Sequence, residues 1–103
     1  MQPIIIVSTF PSKQSITKIS NQIVRKNLAA CVNIVKISSV YAWKGKIENQ
    51  PEYLALFKTT KKNEVNLKKE LIKLHPYDVP EIAKINVSSM NKPYLNWLID
   101  STN

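Results

Sequence analysis

The chain has 103 residues, of which 44% are hydrophobic and 21% are charged, as in ordinary globular proteins. This length predicts a single domain, residues 1–103, with one hydrophobic core. No apolar run approaches the roughly 20 residues of a membrane-spanning helix, and no signal-peptide pattern opens the chain. Its single cysteine cannot form an internal disulfide, which favours a reducing compartment such as the cytoplasm.

The net charge of +8 raises the question of an anionic partner. The basic residues are spread along the chain, and their densest group lies in the predicted helix Lys61–Leu74, which also carries Glu64 and Glu70. That pattern is typical of a solvated helix face. The segment Tyr53–Thr59 lacks the glycine of an RNA-recognition strand. We therefore expect neither a membrane nor a nucleic acid as partner.

The first elements follow from local patterns. The β-branched run Ile4–Val7 predicts a buried central strand. Ser12 is a plausible N-cap for the helix that follows Pro11. That helix is predicted to end near Leu28, and its apolar face consists of Ile16, Ile19 and Ile23.

A long hairpin occupies the middle of the chain. The segment Ala29–Trp43 alternates in polarity over far more than the usual five or six residues of a strand. The only glycine, Gly45, predicts a turn. The return strand is expected at Tyr53–Thr59, with Pro51 at a bulge or an edge.

The second half of the chain repeats the pattern of helix and strand. Lys61–Leu74 is predicted as a helix that Pro76 stops, and Glu81–Val87 as the last strand. Asn91 is expected to cap a terminal helix with Pro93 in its first turn. The order β-α-β-β-α-β plus a helix predicts an α+β, ferredoxin-like fold, which by itself fixes no function.

The predicted hairpin is too long for one subunit. The first strand has about six residues and the second about fourteen, so the surplus must extend past the sheet. Exposed apolar side chains there would promote aggregation. We therefore expect a cyclic homo-oligomer that covers Val35, Ile37, Val40, Tyr41 and Trp43.

The segment His75–Glu81 is the most informative for function. It holds the only histidine, two carboxylates and two prolines, which stiffen its backbone. Thiolate, imidazole and carboxylate groups bind copper-type and zinc ions, so Cys31, His75 and Glu81 are candidate metal ligands. Alternatively, Cys31 is a small buried hydrophobe, His75 caps a helix, and Asp78 and Glu81 are exposed loop acids.

Topology limits how these residues can combine. Cys31 opens the second strand and His75 precedes the fourth, so in an antiparallel sheet they lie at opposite ends. A metal ion that contacts both would need two subunits. The same separation opposes a Cys–His nucleophilic pair, and one glycine cannot build a phosphate loop. We do not expect an enzyme.

Aromatic residues of the hairpin suggest a second kind of site. Tyr41 and Trp43, with Lys58 on the return strand, are candidate residues of a cleft for a small anion, and Asp78 in the later loop is a further candidate cleft residue. The alternative is that the aromatic side chains pack in a subunit interface.

Several separated motifs of the chain occur in the same order as in one known family. They are Ser8-Thr9-Phe10-Pro11, Ala29-Ala30-Cys31-Val32-Asn33-Ile34, Tyr41-x-Trp43-x-Gly45-x-Ile47, Lys58-Thr59, the segment His75–Glu81 and Tyr94-Leu95-x-Trp97-Leu98. This pattern is similar to that of the CutA divalent-cation tolerance family.

The resemblance implies a ferredoxin-like homotrimer whose long hairpins join sheets across subunits. It implies a cytoplasmic role linked to copper and other divalent cations. It also suggests a sensor or regulator like the PII signalling proteins. Such a role would leave room for a protein partner of unknown identity. Cys31 falls on the family's cysteine position, His75 on its His-Pro-Tyr motif and Glu81 on the closing acid, whereas Asp78 replaces the usual glutamate.

Overall fold

The computed structural model describes residues 1–103 and confirms the predicted α+β fold. Its four strands form one antiparallel sheet in the order β2-β3-β1-β4. A 3₁₀ turn, Lys61–Asn63, leads into the second helix. The elements are β1 (Pro3–Phe10), α1 (Lys13–Arg25), β2 (Cys31–Trp43), β3 (Lys46–Thr60), α2 (Glu64–Leu74), β4 (Ala83–Asn86) and α3 (Lys92–Ser101).

The core lies between one face of the sheet and helices α1 and α2. Successive strand residues point to opposite faces and paired residues share a face, so Ile6 of β1 lies beside its partner Phe57 of β3. We call this side the helix face. Its buried cluster consists of Ile4, Ile6, Phe10, Ile16, Ile19, Ile23, Ala29, Ala55, Phe57, Leu67 and Leu71.

The opposite side, called the open face, carries the alternate residues of each strand. Ile5, Val7 and Thr9 of β1 are only partly buried there. Lys58 pairs with Ile5 and so lies on this face, and its ammonium lies over the Tyr94 ring of α3. Helix α3 therefore covers this end of the open face and leaves the end near Thr9 accessible.

Helix ends follow local backbone chemistry. The Ser12 side chain accepts a hydrogen bond from the Ser15 amide at 3.1 Å, which confirms the predicted N-cap. Helix α1 ends at Arg25, earlier than predicted, because Asn27 adopts a left-handed φ of 59°. Asn91 stands at the N-cap of α3, but its side chain makes no capping hydrogen bond.

The hairpin is longer than the sequence suggested. Strand β3 begins at Lys46 rather than Tyr53, and all 13 residues of β2 pair with it without a bulge. Lys44 (φ 49°) and Gly45 (φ 78°) form the two-residue turn. Two adjacent positive φ angles are typical of a type I′ turn, whose twist matches that of the flanking strands.

Pro51 lies on the free edge of β3. The Lys61 amide donates to the Gln2 carbonyl, so odd-numbered residues of β3 direct their amides toward β1. Strand β1 ends at Phe10, opposite Tyr53, and leaves no partner beyond that point. The missing N–H of Pro51 therefore costs no hydrogen bond.

Residues 37–52 extend beyond the part of the sheet that β1 supports. Val40 and Ile47 are 68% and 70% exposed on this projection. The molecule is correspondingly elongated, with principal extents of 45 × 25 × 21 Å. None of its helices combines the length and the apolar character required to cross a membrane.

Candidate functional site

The loop of residues 75–82 is held against the sheet by the buried hydroxyl of Ser8. Ser8 Oγ donates to the Glu81 carbonyl at 2.6 Å and lies 3.0 Å from His75 Nε2. Strand β4 begins only at Ala83, later than the predicted Glu81. The Glu81 carbonyl is thus bound by a side chain rather than by a ladder amide, which keeps the loop outside the sheet.

His75 is stacked on Phe10 and makes hydrogen bonds through both ring nitrogens. The ring centroids are 4.3 Å apart with an interplanar angle of 18°. Because Ser8 gives its only proton to Glu81, His75 Nε2 must donate to Ser8 Oγ. Nδ1 accepts the Tyr77 amide proton at 3.2 Å. The imidazole is therefore neutral, and neither nitrogen has a free lone pair.

Burial lowers the pKa of His75, and a hydrogen bond with the backbone of Thr9 raises it to a lesser degree. The net lowering agrees with the neutral tautomer that the hydrogen bonds require. His75 thus serves first to fix the exit of α2. Its backbone is extended, as expected for a residue before proline, and this ends the helix at Leu74.

A cavity of about 780 Å³ lies between the 75–82 loop and the base of the hairpin, on the open face. We call it the cleft. Its volume is within the range of small-molecule sites. It is lined by Val7, Thr9, Ile37, Ser39, Tyr41, Trp43, Glu52, Leu54, Pro76, Tyr77, Asp78, Val79 and Glu81.

Glu52 is the charged cleft residue that the sequence patterns did not indicate. It is only 8% exposed, and its Oε2 accepts a hydrogen bond from the Tyr77 hydroxyl at 2.8 Å. Burial, and then the Glu52 carboxylate, raises the pKa of the Tyr77 phenol, which stays protonated as the donor. Extending the alternation of β3 back by one residue from Tyr53 would have placed Glu52 beside Leu54 on the open face.

The structure brings most of the predicted cleft residues together. Tyr41, Trp43 and Asp78 all line the cleft, with Tyr41 and Trp43 about half exposed. Lys58 does not join them, because it pairs with Ile5 farther along β1 and lies over Tyr94. Within one chain, the cleft therefore has no basic residue in its lining.

The candidate metal ligands are not assembled within one chain. Cys31 pairs with Lys58 and lies on the open face, whereas His75 contacts Ser8 and Phe10 on the helix face. The two residues are thus separated by the sheet as well as by its length. Glu81 lines the cleft. No group of three or more His, Cys, Asp or Glu residues is close enough to hold an ion.

Comparison with known proteins agrees with this fold and these motifs. Residues 4–101 match the model of the CutA1 divalent ion tolerance protein family. The chain belongs to the CutA1 family. The divalent-cation tolerance protein CutA of Thermotoga maritima is 42% identical over 98 residues, covering 95% of this chain and 97% of that protein. The crystal structure of CutA1 from Pyrococcus horikoshii is 39% identical, with a TM-score of 0.94 and coverage of 97% and 98% of the two chains.

The expectation of a cytoplasmic location is wrong. The CutA structure from Archaeoglobus fulgidus is described as a periplasmic divalent cation tolerance protein. It is 32% identical with a TM-score of 0.95, and the match covers 98% of this chain and 99% of that one. Membership of the CutA1 family therefore does not specify the cytoplasm.

The neutral state of His75 predicts a pH-dependent stability. Its pKa is lower in the folded chain than its ordinary value near 6.5, so below that pH the unfolded chain binds more protons. We expect the free energy of unfolding to be maximal above pH 6.5 and to fall as the pH drops toward 5. Denaturant unfolding at fixed protein concentration from pH 5 to 8 measures this.

His75→Asn is the matched variant, because His75 is the only histidine and the amide oxygen of Asn can accept the Tyr77 amide proton. Its stability should change little over the same range. Glu64 and Glu70 also have lowered pKa values, because Lys68 and Lys26 donate to them, but carboxylates titrate below about pH 4.5. Equal pH slopes in both proteins would contradict the assignment.

The Tyr77–Glu52 hydrogen bond should be a measurable contributor to stability. A double-mutant cycle with Tyr77→Phe and Glu52→Ala, each of which removes the bond, is expected to give a coupling energy of about 1.5–3 kcal/mol, as for hydrogen bonds to charged groups. Denaturant unfolding of the four proteins at pH 7 supplies the values. A coupling energy near zero would show that this bond does not hold the loop.

Proposed function

We propose that the chain is a divalent-cation tolerance protein that acts as a homotrimer and binds a copper-type divalent cation. One observation supports cation binding above others. Of the seven acidic residues in this strongly basic chain, Glu52, Asp78 and Glu81 line one cleft, and none of the fifteen basic residues does. Clefts lined by one sign of charge raise the local concentration of the opposite ion.

The proposed metal ligands are His75, Glu81 and a cysteine. Imidazole, carboxylate and thiolate groups suit copper and zinc. Because Cys31 lies across the sheet from His75, we propose that another copy supplies it. Binding through Nε2 would also require His75 to release Ser8. We propose a role in binding rather than catalysis, since the one thiol and the one imidazole lie on opposite faces.

The trimer proposal rests on the projecting hairpin. Residues 37–52 extend past the support of β1, and Val40 and Ile47 are exposed there. Exposed apolar residues on free strand edges usually mark an interface. A rotationally closed arrangement of three copies would bury them.

The oligomer prediction is tested by light scattering. At micromolar concentration we expect three times the mass of one chain. Val40→Lys with Ile47→Lys should lower that mass, because it places charges on the projecting surface. Ile72→Lys is the matched control, since Ile72 is 65% exposed on α2, away from the hairpin, and should leave the mass unchanged. A monomeric wild type would refute the proposal.

The metal proposal is tested by calorimetric titration with Cu(II). We expect Glu81→Gln and His75→Ala each to weaken binding at least about tenfold, since loss of even a residue that only orients a ligand has an effect of that size. Glu70→Gln is the control, because Glu70 lies on α2 and pairs with Lys26. If both variants bind Cu(II) as tightly as the wild type, His75 and Glu81 are not metal ligands.

A second candidate function is regulatory binding of a small molecule in the cleft, in the manner of PII signalling proteins, with metal incidental and a protein partner downstream. The size of the cleft favours it, because about 780 Å³ exceeds the space a single ion fills. Its apolar walls, which include Ile37, Leu54 and Val79, favour it too. Binding of a neutral aromatic probe, described below, tests this function.

A further inference from the structure

We propose that the cleft binds a small organic ammonium cation, with Glu52 as its counter-charge and aromatic side chains as its walls. The inference rests on the second candidate function and names the class of ligand. It arises from three features of the cleft: a carboxylate with no ion-pair partner, an aromatic lining and a shape that suits an organic molecule better than a bare ion.

Glu52 is a charged group whose charge is not balanced by the chain. It is more than nine-tenths buried, yet none of the salt bridges involves it. Oε2 accepts from Tyr77, whereas Oε1 has no hydrogen-bond partner in the protein and is not enclosed, so it is accessible from the cleft. A carboxylate that faces a cleft and has no ion-pair partner in the chain attracts a positive group, most strongly where the walls exclude water. The exposed carboxylates of Asp78 and Glu81 add to the negative potential.

The lining includes three aromatic residues. Tyr41 and Trp43 come from β2, and Tyr77 comes from the 75–82 loop. Ring faces attract ammonium groups, most strongly when both are shielded from water. Trp43 already shows this behaviour, since the Lys44 ammonium lies 5.7 Å from its ring centroid.

The cleft is poorly suited to a bare metal ion within one chain. Divalent ions need four to eight closely grouped ligands, and the carboxylates lining this cleft form no such group. Val7, Ile37 and Leu54 offer apolar contacts that an ion cannot use. An organic cation fills the volume with its hydrocarbon part and places its ammonium at Glu52.

The test compares three probes of one size on the full-length oligomer by calorimetry: phenethylammonium, the neutral 2-phenylethanol and the anionic phenylacetate. We expect phenethylammonium to bind about tenfold tighter than 2-phenylethanol, since an ion pair away from water is worth that much. Phenylacetate should bind weakest. Glu52→Gln should abolish the preference for the cation while retaining 2-phenylethanol binding, because Gln can still accept from Tyr77.

Two further variants make the result decisive. Asp78→Asn removes the charge of an exposed loop carboxylate. It should weaken the binding of phenethylammonium by a few-fold and leave the other two affinities unchanged. Glu70→Gln, outside the cleft, should leave all three affinities unchanged. Equal affinity for the three probes, or an unaltered preference in Glu52→Gln, overturns the inference while the cleft function stands. Failure of every probe to bind overturns both, and Cu(II) titration reports on the metal proposal separately.

Discussion

The hydroxyl of Ser8 organises the part of the molecule where function is concentrated. It is fully buried in β1, donates to the Glu81 carbonyl and accepts from His75 Nε2. One side chain thus joins the end of α2, the start of β4 and the central strand. The intervening loop is held over the open face, and with the hairpin it forms the walls of the cleft. Loss of these bonds would leave buried polar groups unpaired, which is costly, and would free Tyr77 from Glu52.

Much of the fold could be predicted from periodicity and local stop signals. The Ser12 cap, the turn at Gly45 and the stop at Pro76 all lie where the sequence placed them. The errors concern features that depend on distant partners. Strand β3 begins at Lys46 because β2 pairs with it along its whole length, although its own first residues are polar. Strand β4 is short because Ser8, far away in sequence, binds the Glu81 carbonyl.

The candidate site was predictable only in part. Tyr41, Trp43 and Asp78 could be grouped by residue type, and the structure brings them together because the hairpin base and the 75–82 loop lie at the same end of the sheet. Lys58 was misplaced because it lies on the same face of the sheet as the cleft but farther along β3, beside Ile5 and Tyr94. Glu52 was missed because a carboxylate in a polar stretch resembles solvent-exposed surface. Only the tertiary structure shows that Tyr77 covers it.

Pro51 has a consequence for solubility. Beyond Tyr53, the edge of β3 that β1 covers elsewhere is free. A strand from another chain could pair with β3 there. Open edges of this kind allow sheets to grow without limit, and proline is one of the residues that block them. With its nitrogen directed to that edge, Pro51 removes a donor two residues past the end of β1. A partner strand therefore loses one hydrogen bond at the point where it would meet β1, which disfavours fibrous growth of the sheet.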